Sequence, residues 1–252
     1  MGEPNRRATV GRYRITGVLG EGGMGVVYAA HDERLDRAVA IKTLRGDTPD
    51  ASARERLQRE ARAAARVNHP SICQLYELGE EGDELFLAME LLEGESLAQR
   101  LSRGPLPPGD ALPIALAVLA GLDALHRNGI IHRDLKPSNI FLTAHGAKLL
   151  DFGVAARSAP DRTSTKLTMP GTLIGTPLYC APEQLRGEPL DPRTDLFSAG
   201  DVFYEMIAGR APFDGRTAME VQACDERRPH VFHGRRLPAR DRVLGGADSV
   251  HA

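Results

Sequence analysis

Four polar side chains lie close together in the sequence, and their types suit the handling of a phosphate group and a divalent cation. Asp134, Lys136 and Asn139 fall within six residues, and Asp151 follows seventeen residues after Asp134. A carboxylate can accept a proton, carboxylate and amide oxygens bind Mg²⁺, and a lysine ammonium is a compact positive charge for a phosphate. Asp, Pro, Ser and Asn are also ordinary turn residues, so a few of these residues on their own would indicate only a turn.

The neighbouring residues make the pattern much more specific. Residues 132–139 read H-R-D-L-K-P-S-N, and residues 151–153 read D-F-G. Together they resemble the catalytic loop and the metal-binding loop of protein kinases. The resemblance implies that Asp134 accepts the proton of a substrate hydroxyl and that Lys136 neutralises the γ-phosphate of ATP. It also implies that Asn139 and Asp151 hold Mg²⁺.

A glycine-rich stretch near the start of the chain fits the same family. Gly20, Gly22 and Gly25 form G-x-G-x-x-G, and β-forming residues follow them, whereas a dinucleotide-binding unit would continue as a helix. The order strand, glycine loop, strand resembles the phosphate lid of protein kinases, because glycines let backbone N–H groups approach a phosphate. Residues 39–42 read V-A-I-K, which implies that Lys42 contacts the α- and β-phosphates. The alternative interpretation of Lys42 is an ordinary solvated lysine on a strand, and the glycine loop that precedes it argues against that alternative.

A helix and two strands are predicted to complete this part of the site. Residues 52–67 carry a helical apolar stripe, and Glu60 on this helix is the predicted ion-pair partner of Lys42, with Glu55 as the competing candidate. Residues 71–78 and 84–91 are predicted strands. Met89 resembles a gatekeeper, although it would serve equally as plain core. The predicted nucleotide-binding residues are Leu19, Gly20, Glu21, Gly22, Gly23, Met24, Gly25, Val26, Val27, Ala40, Lys42, Met89, Glu90, Leu92 and Phe141.

Residues 154–179 are rich in Ser and Thr and lead into G-T-P-x-Y-x-A-P-E. With Lys136, this ending resembles Ser/Thr kinases rather than Tyr kinases. The resemblance implies autophosphorylation in this segment, where Arg133 would pair with a phosphothreonine. The leading acceptor candidates are Thr168 and Thr172. A flexible polar loop would explain the same Ser and Thr content.

The resemblance predicts an α+β, bilobal fold with a small antiparallel β lobe and one helix, followed by a mostly helical lobe. The predicted boundaries are a mobile tail at residues 1–12, the small lobe at 13–92 and a partial helical lobe at 93–221. Residues 108–128 and 195–208 are its predicted main helices, and Asp201 fits poorly in the second because it follows Gly200 where an apolar residue is usual. Residues 222–252 have no helical stripe and are rich in Arg and Pro, which predicts a disordered tail left by truncation or a reading-frame shift. Glu183 would then lack its usual buried arginine.

Composition excludes several other classes of protein. The chain has 252 residues and a formal net charge of −2, which gives no case for a nucleic-acid or anionic-membrane partner. Three cysteines show no metal or disulfide spacing, and no apolar signal core begins the chain, so a cytoplasmic location is expected. The longest apolar run, at residues 111–122, is too short to span a bilayer and predicts a buried helix. The oligomeric state is left open.

The motifs together predict a bacterial protein kinase of the eukaryotic-like Ser/Thr class, with ATP, Mg²⁺ and protein substrates as its partners. The alternative is an ATP-binding or regulatory fragment without catalytic activity. The four site residues favour the enzyme, and the missing end of the helical lobe favours the fragment.

Overall fold

The computed structural model describes residues 8–22, 25–44, 51–82, 84–151 and 177–213. Its strands are β1 Thr9–Val10, β2 Tyr13–Gly22, β3 Gly25–Asp32, β4 Arg37–Leu44, β5 Leu75–Glu81, β6 Glu84–Glu90, β7 Glu95–Ser96, β8 Ile140–Thr143 and β9 Gly146–Leu149. Its helices are α1 Ala51–Ala65, α2 Leu97–Leu101, α3 Pro108–Arg127, α4 Pro182–Arg186 and α5 Pro192–Ala208, with short 3-10 turns at Pro137–Asn139 and Pro177–Tyr179. The predicted phosphorylation segment, apart from its last residues, and the predicted tail at 222–252 lie outside this part of the chain.

The small lobe is a six-stranded sheet in the order β1-β2-β3-β4-β6-β5, and every neighbouring pair is antiparallel. Side chains alternate between the two faces of a strand, so Val39 and Ile41 on β4 face one way while Ala40 and Lys42 face the other. Val39 and Ile41 belong to an outer apolar cluster. The alternation therefore turns Lys42 toward the opposite face, where the nucleotide was predicted.

The outer cluster is sealed by aromatic packing and by a buried carboxylate. The rings of Tyr13 and Phe86 meet edge to face at 5.9 Å. Asp32 is fully buried and lies 3.4 Å from a guanidinium nitrogen of Arg12. Burial acts to raise the pKa of Asp32, but hydrogen bonds from Arg12 and from the N–H groups of Arg34 and Leu35 outweigh it and lower the pKa.

One continuous core connects the two lobes. Its buried side chains come from α1, β5 and β6 in the small lobe and from α2, α3, β8, β9 and α5 beyond it. Both long helices of the second lobe begin with proline at the first position and are followed by a left-handed glycine, Gly129 after α3 and Gly209 after α5. The glycines confirm the predicted C-terminal ends of both helices, whereas α5 begins at Pro192, three residues before its predicted start at residue 195. The α+β bilobal prediction is confirmed for the described residues.

The expectation that the apolar segment around residues 111–122 is too short to span a bilayer is wrong. It is part of α3, which has 20 residues and is long and apolar enough to cross a membrane by length and composition alone. Its packing is that of a core helix, since Val118, Leu122 and Leu125 are buried in the shared core. The prediction of a buried helix is therefore confirmed for this face only, because Leu112, Leu116 and Leu119 of the same helix are exposed.

The predicted strand at residues 71–78 begins later than expected, at Leu75. The preceding residues instead form a parallel bridge between Ile72 and Leu149 of β9. Leu149 N–H donates to the Ser71 carbonyl at 2.8 Å, and Cys73 N–H donates to the Leu149 carbonyl at 2.9 Å. These bonds tie the small lobe to the strand that leads into Asp151.

Candidate active site

The catalytic-loop residues predicted from the sequence come together as a compact group. Lys136 Nζ lies 3.0 and 2.8 Å from the two carboxylate oxygens of Asp134. The Asn139 amide nitrogen donates to Asp134 Oδ2 at 2.9 Å and to the Asp134 carbonyl at 2.7 Å. Because the nitrogen of this amide faces Asp134, the amide oxygen is the atom that remains to face a cation.

Asp195, the fourth residue of α5, binds the backbone at the start of this loop through its buried carboxylate. Its side chain is 1% exposed, and it accepts hydrogen bonds from His132 N at 2.8 Å, Arg133 N at 2.9 Å and His126 Nε2 at 2.7 Å. Arg133 has a φ of 67°, a left-handed conformation that is unfavourable for an arginine. The buried carboxylate therefore stabilises a strained backbone immediately before Asp134.

His132 packs inside the protein rather than facing the cleft. It is fully buried, and burial lowers its pKa, although the nearby charges of Asp195, Asp134 and Asp151 act to raise it. The imidazole is consequently neutral at physiological pH. Its Nδ1 accepts a hydrogen bond from Asp134 N–H at 3.4 Å, so the imidazole contacts the catalytic loop from inside the protein.

Lys42 of the small lobe and Asp151, just after the end of β9, form an ion pair. Lys42 Nζ lies 2.7 Å from Asp151 Oδ2, and the Lys42 side chain is 8% exposed. Asp151 has a φ of 55°, so it is a second strained residue at the site. Leu150 N–H donates to the Asn139 carbonyl at 2.9 Å, which joins the Asp151 strand end to the catalytic loop.

Glu60, the predicted partner of Lys42, lies on the half-buried side of α1, with a carboxylate oxygen that is shielded from solvent. Glu55, the competing candidate, is exposed. Burial favours Glu60 over Glu55 as the residue directed toward the sheet. The Lys42–Glu60 ion pair itself stays a prediction.

The structure describes all of the predicted nucleotide-binding residues except two. Val27 on β3 and Leu87 on β6 lie opposite Lys42, while Met89 on β6 lies opposite Ala40, so these side chains share the inner face of the sheet. The lid residues Leu19, Gly20 and Glu21 are exposed on β2, Gly22 ends that strand, and Gly25 and Val26 begin β3. Leu92 follows β6, and Phe141 lies on β8 opposite Lys148. Gly23 and Met24 lie outside the described residues.

Glu90 makes side-chain contacts that the sequence did not predict, and its proposed part in nucleotide binding stays a prediction. Both of its carboxylate oxygens accept hydrogen bonds from Lys148 Nζ at 2.9 Å, and one of them also accepts from Gln74 N at 3.2 Å. The Glu90 N–H group donates a hydrogen bond to the Gln74 carbonyl at 2.9 Å. Beside it, burial raises the pKa of the Cys73 thiol to about 12. The end of β6 is thus tied to β9 by the Glu90–Lys148 ion pair, which sequence reasoning missed. The chain's scarcity of lysine, only four in all, was the one available signal.

Hydrogen bonds join α5 to α4 and to the Pro177–Tyr179 turn. Glu183 accepts a hydrogen bond from Thr194 Oγ1 at 2.6 Å. The expectation that it lacks its usual buried arginine stays a prediction, because residues 214–252 lie outside the described part of the chain. Ser198 Oγ donates to the Tyr179 carbonyl at 2.6 Å, and the Tyr179 hydroxyl bonds Glu205. Asp201 is buried, as the sequence indicated.

The phosphorylation candidates Thr168 and Thr172 lie outside the described residues, so their assignment stays a prediction. Within the described ranges, no three His, Cys, Asp or Glu side chains cluster as a metal site. The candidate metal ligands are therefore one amide, Asn139, and one carboxylate, Asp151. Such a pair fits a hard divalent cation that takes its remaining oxygens from phosphate and water.

Comparisons with known proteins agree with this geometry. Residues 13–239 match the family model described as protein kinase domain, which continues past residue 221, where the sequence resemblance was placed to end. The serine/threonine-protein kinase pkn2 of Myxococcus xanthus is 46% identical over 217 residues, covering 84% of this chain and 26% of the relative. PrkC of Bacillus subtilis is 41% identical over 214 residues, covering 84% of this chain and 32% of the relative.

Solved structures give the same result. The crystal structure of the PknI kinase domain of M. tuberculosis superposes with a TM-score of 0.67 at 31% identity, covering 81% of this chain and 75% of that one. The chain thus spans most of a solved kinase domain but only about a quarter to a third of the two curated relatives.

Proposed function

The chain belongs to the protein kinase domain family, in its bacterial serine/threonine branch, and we propose that it transfers the γ-phosphate of ATP to serine and threonine hydroxyls of proteins. The observation that carries this proposal is the grouping of Asp134, Lys136 and Asn139 in one loop, joined through the Asn139–Leu150 hydrogen bond to the Lys42–Asp151 pair. Phosphoryl transfer requires mainly positioning and charge neutralisation, and these residues supply both.

Asp134 is the proposed acceptor of the substrate hydroxyl proton. Lys136 and Asn139 hold its carboxylate in one orientation through hydrogen bonds of 2.8 to 3.0 Å. When a substrate and ATP bind, Lys136 can exchange its contact with Asp134 for the transferred phosphate, because an ammonium has three donors on a flexible stem. Asp134 is then released to accept the proton.

Lys42 is the proposed ligand of the α- and β-phosphates, and Asp151 and Asn139 are the proposed ligands of Mg²⁺. The family uses ATP and a divalent metal ion, and the choice of Mg²⁺ rests on the all-oxygen character of this pair. A bound metal ion neutralises the charge on the phosphates. Asp151, held by Lys42 in the described structure, would orient toward that ion.

The Ser/Thr preference and autophosphorylation complete the proposal. Both are supported by the similarity of the chain to bacterial serine/threonine-protein kinases. Thr168 and Thr172 are the proposed acceptor residues. Mass spectrometry of the chain after incubation with Mg-ATP identifies the modified residues. Phosphate found only outside residues 154–177 contradicts this assignment.

The test of the function compares the wild-type chain with Asp134→Asn, using labelled ATP and a basic protein substrate. We expect the variant to lose about 10²–10⁴-fold in kcat, which is the usual contribution of general acid–base catalysis, and to bind ATP as the wild type does. Asp123→Asn on the exposed side of α3 is the control for the same chemical change. Wild-type turnover by Asp134→Asn would refute the role. A wild-type chain that binds ATP and transfers no phosphate would favour a regulatory ATP-binding module instead.

A further inference from the structure

Gln184, on the short helix α4, bridges two backbone segments that are far apart in the sequence. Its side-chain oxygen accepts a hydrogen bond from Ala181 N–H at 3.0 Å, and its side-chain nitrogen donates to the Arg133 carbonyl at 2.8 Å. The first bond caps the start of its own helix. The second reaches the catalytic loop, 51 residues earlier in the chain.

Both contacts require an amide. Ala181 N–H is only a donor and the Arg133 carbonyl is only an acceptor, so the two partners fix which end of the side chain is oxygen and which is nitrogen. A glutamate at this position would keep the first bond and bring a carboxylate oxygen against the Arg133 carbonyl. The site therefore distinguishes Gln from Glu, although the two side chains have nearly the same shape.

The Arg133 carbonyl belongs to the peptide group that joins Arg133 to Asp134, the proposed proton acceptor. The other side of Arg133 is also held, because its N–H donates to Asp195 Oδ1 at 2.9 Å. Arg133 has a left-handed backbone with a φ of 67°, and residues in this region persist only when surrounding contacts hold them. Gln184 and Asp195 thus hold the two peptide groups on either side of the strained residue.

We propose that Gln184 is a positioning residue for Asp134, an inference that rests on the proposed kinase function. By holding the Arg133–Asp134 peptide in one orientation, it sets the direction in which the Asp134 side chain leaves the backbone. Since α4 directly follows the Pro177–Tyr179 turn that ends the predicted phosphorylation segment, the same bond makes the position of Asp134 depend on the position of α4.

The experiment uses Gln184→Glu in the full chain, with Gln99→Glu as the matched control. Gln99 occupies the equivalent position of α2, where its side-chain oxygen accepts from Ser96 N at 2.9 Å, so its replacement by glutamate preserves that bond. Steady-state kinetics give kcat and the KM for ATP, and hydrogen exchange followed by mass spectrometry reports on residues 131–139. We expect Gln184→Glu to lower kcat roughly tenfold with KM unchanged. Exchange should be faster in residues 131–139, and Gln99→Glu should change neither readout.

The two readouts separate this inference from the proposed function. An active wild-type chain whose Gln184→Glu variant keeps its kcat overturns the positioning role, even if exchange becomes faster. A rise in the KM for ATP at constant kcat overturns it as well. If the wild-type chain transfers no phosphate, the proposed function fails, and exchange then decides the inference: faster exchange confined to residues 131–139 supports the positioning bond, and unchanged exchange overturns it.

Discussion

Replacing the buried Asp195 by asparagine should destabilise the protein more than replacing an exposed aspartate by asparagine. The carboxylate is 1% exposed. One of its oxygens accepts from both His126 Nε2 and His132 N, and the other accepts from Arg133 N. Asparagine has the same shape but replaces one oxygen by an NH₂ group. Whichever way that amide turns, it presents a donor to at least one backbone N–H of the catalytic loop.

The size of the effect follows from these three bonds. An unpaired buried donor costs about 1–3 kcal/mol, and each remaining bond falls from the strength of a charged acceptor to that of a neutral one, roughly 1 kcal/mol apiece. The expected loss is about 3–5 kcal/mol, similar to that of breaking a buried ion pair. For a domain of this size each kcal/mol lowers the unfolding temperature by about 2–4 °C, so Asp195→Asn should unfold roughly 6–20 °C below wild type.

Thermal unfolding followed by circular dichroism measures this difference, and Asp123→Asn is the control. Asp123 is 58% exposed and pairs with Arg127 one helical turn away, so its replacement should move the midpoint by under about 2 °C. Hydrogen exchange should become faster in residues 131–139 of Asp195→Asn. A midpoint for Asp195→Asn as close to wild type as that of the control would refute the reasoning that this carboxylate anchors the loop.

Two further predictions concern packing and pH. Gly121→Ala on α3 should destabilise the chain by about 1–3 kcal/mol in urea unfolding, because its new Cβ would lie 2.9 Å from Leu149 Cδ1, whereas Gly109→Ala on the same helix meets nothing within 4 Å and should not destabilise it. Because the pKa of Asp32 is lowered in the folded chain, its contribution to stability is present above the unfolded pKa of about 3.9 and is lost as the pH falls through the folded value. Asp32→Asn should therefore show a shallower loss of unfolding free energy with acid than wild type, and an equally steep loss would contradict the assignment.

The catalytic loop was predictable because its chemistry is local in the sequence. Asp134, Lys136 and Asn139 are separated by at most five residues, and the loop that joins them leaves little freedom for their side chains. The inward direction of Lys42 was also predictable, since strand alternation places it opposite the buried Val39 and Ile41 set. In both cases a short-range rule decides where the side chain lies.

The contacts that hold the loop were not predictable, because each joins residues far apart in the sequence. Asp195 and Gln184 reach the loop from α5 and α4, 62 and 51 residues away from Arg133. Asp195 stood in the sequence only as the start of a helix, and Gln184 only as the residue after A-P-E. The Glu90–Lys148 pair spans 58 residues, and no local pattern states which way the last side chain of a strand turns.

Strain at the site explains why these distant contacts are needed. Arg133 and Asp151 are two of the three non-glycine residues with positive φ in the described chain, and such a conformation costs on the order of 1–3 kcal/mol each. The local backbone preference of these two residues therefore disfavours the conformation that they adopt, and contacts from elsewhere in the chain must hold it. For Arg133, the backbone is held by Asp195 on its N–H and by Gln184 on its carbonyl, and for Asp151 the preceding Leu150 N–H is held by Asn139. Loss of any one of these bonds removes its contribution to stability and lets the strained backbone move to a more favourable conformation. That movement displaces the proposed proton acceptor or metal ligand, so stability and activity are expected to fall together at these positions.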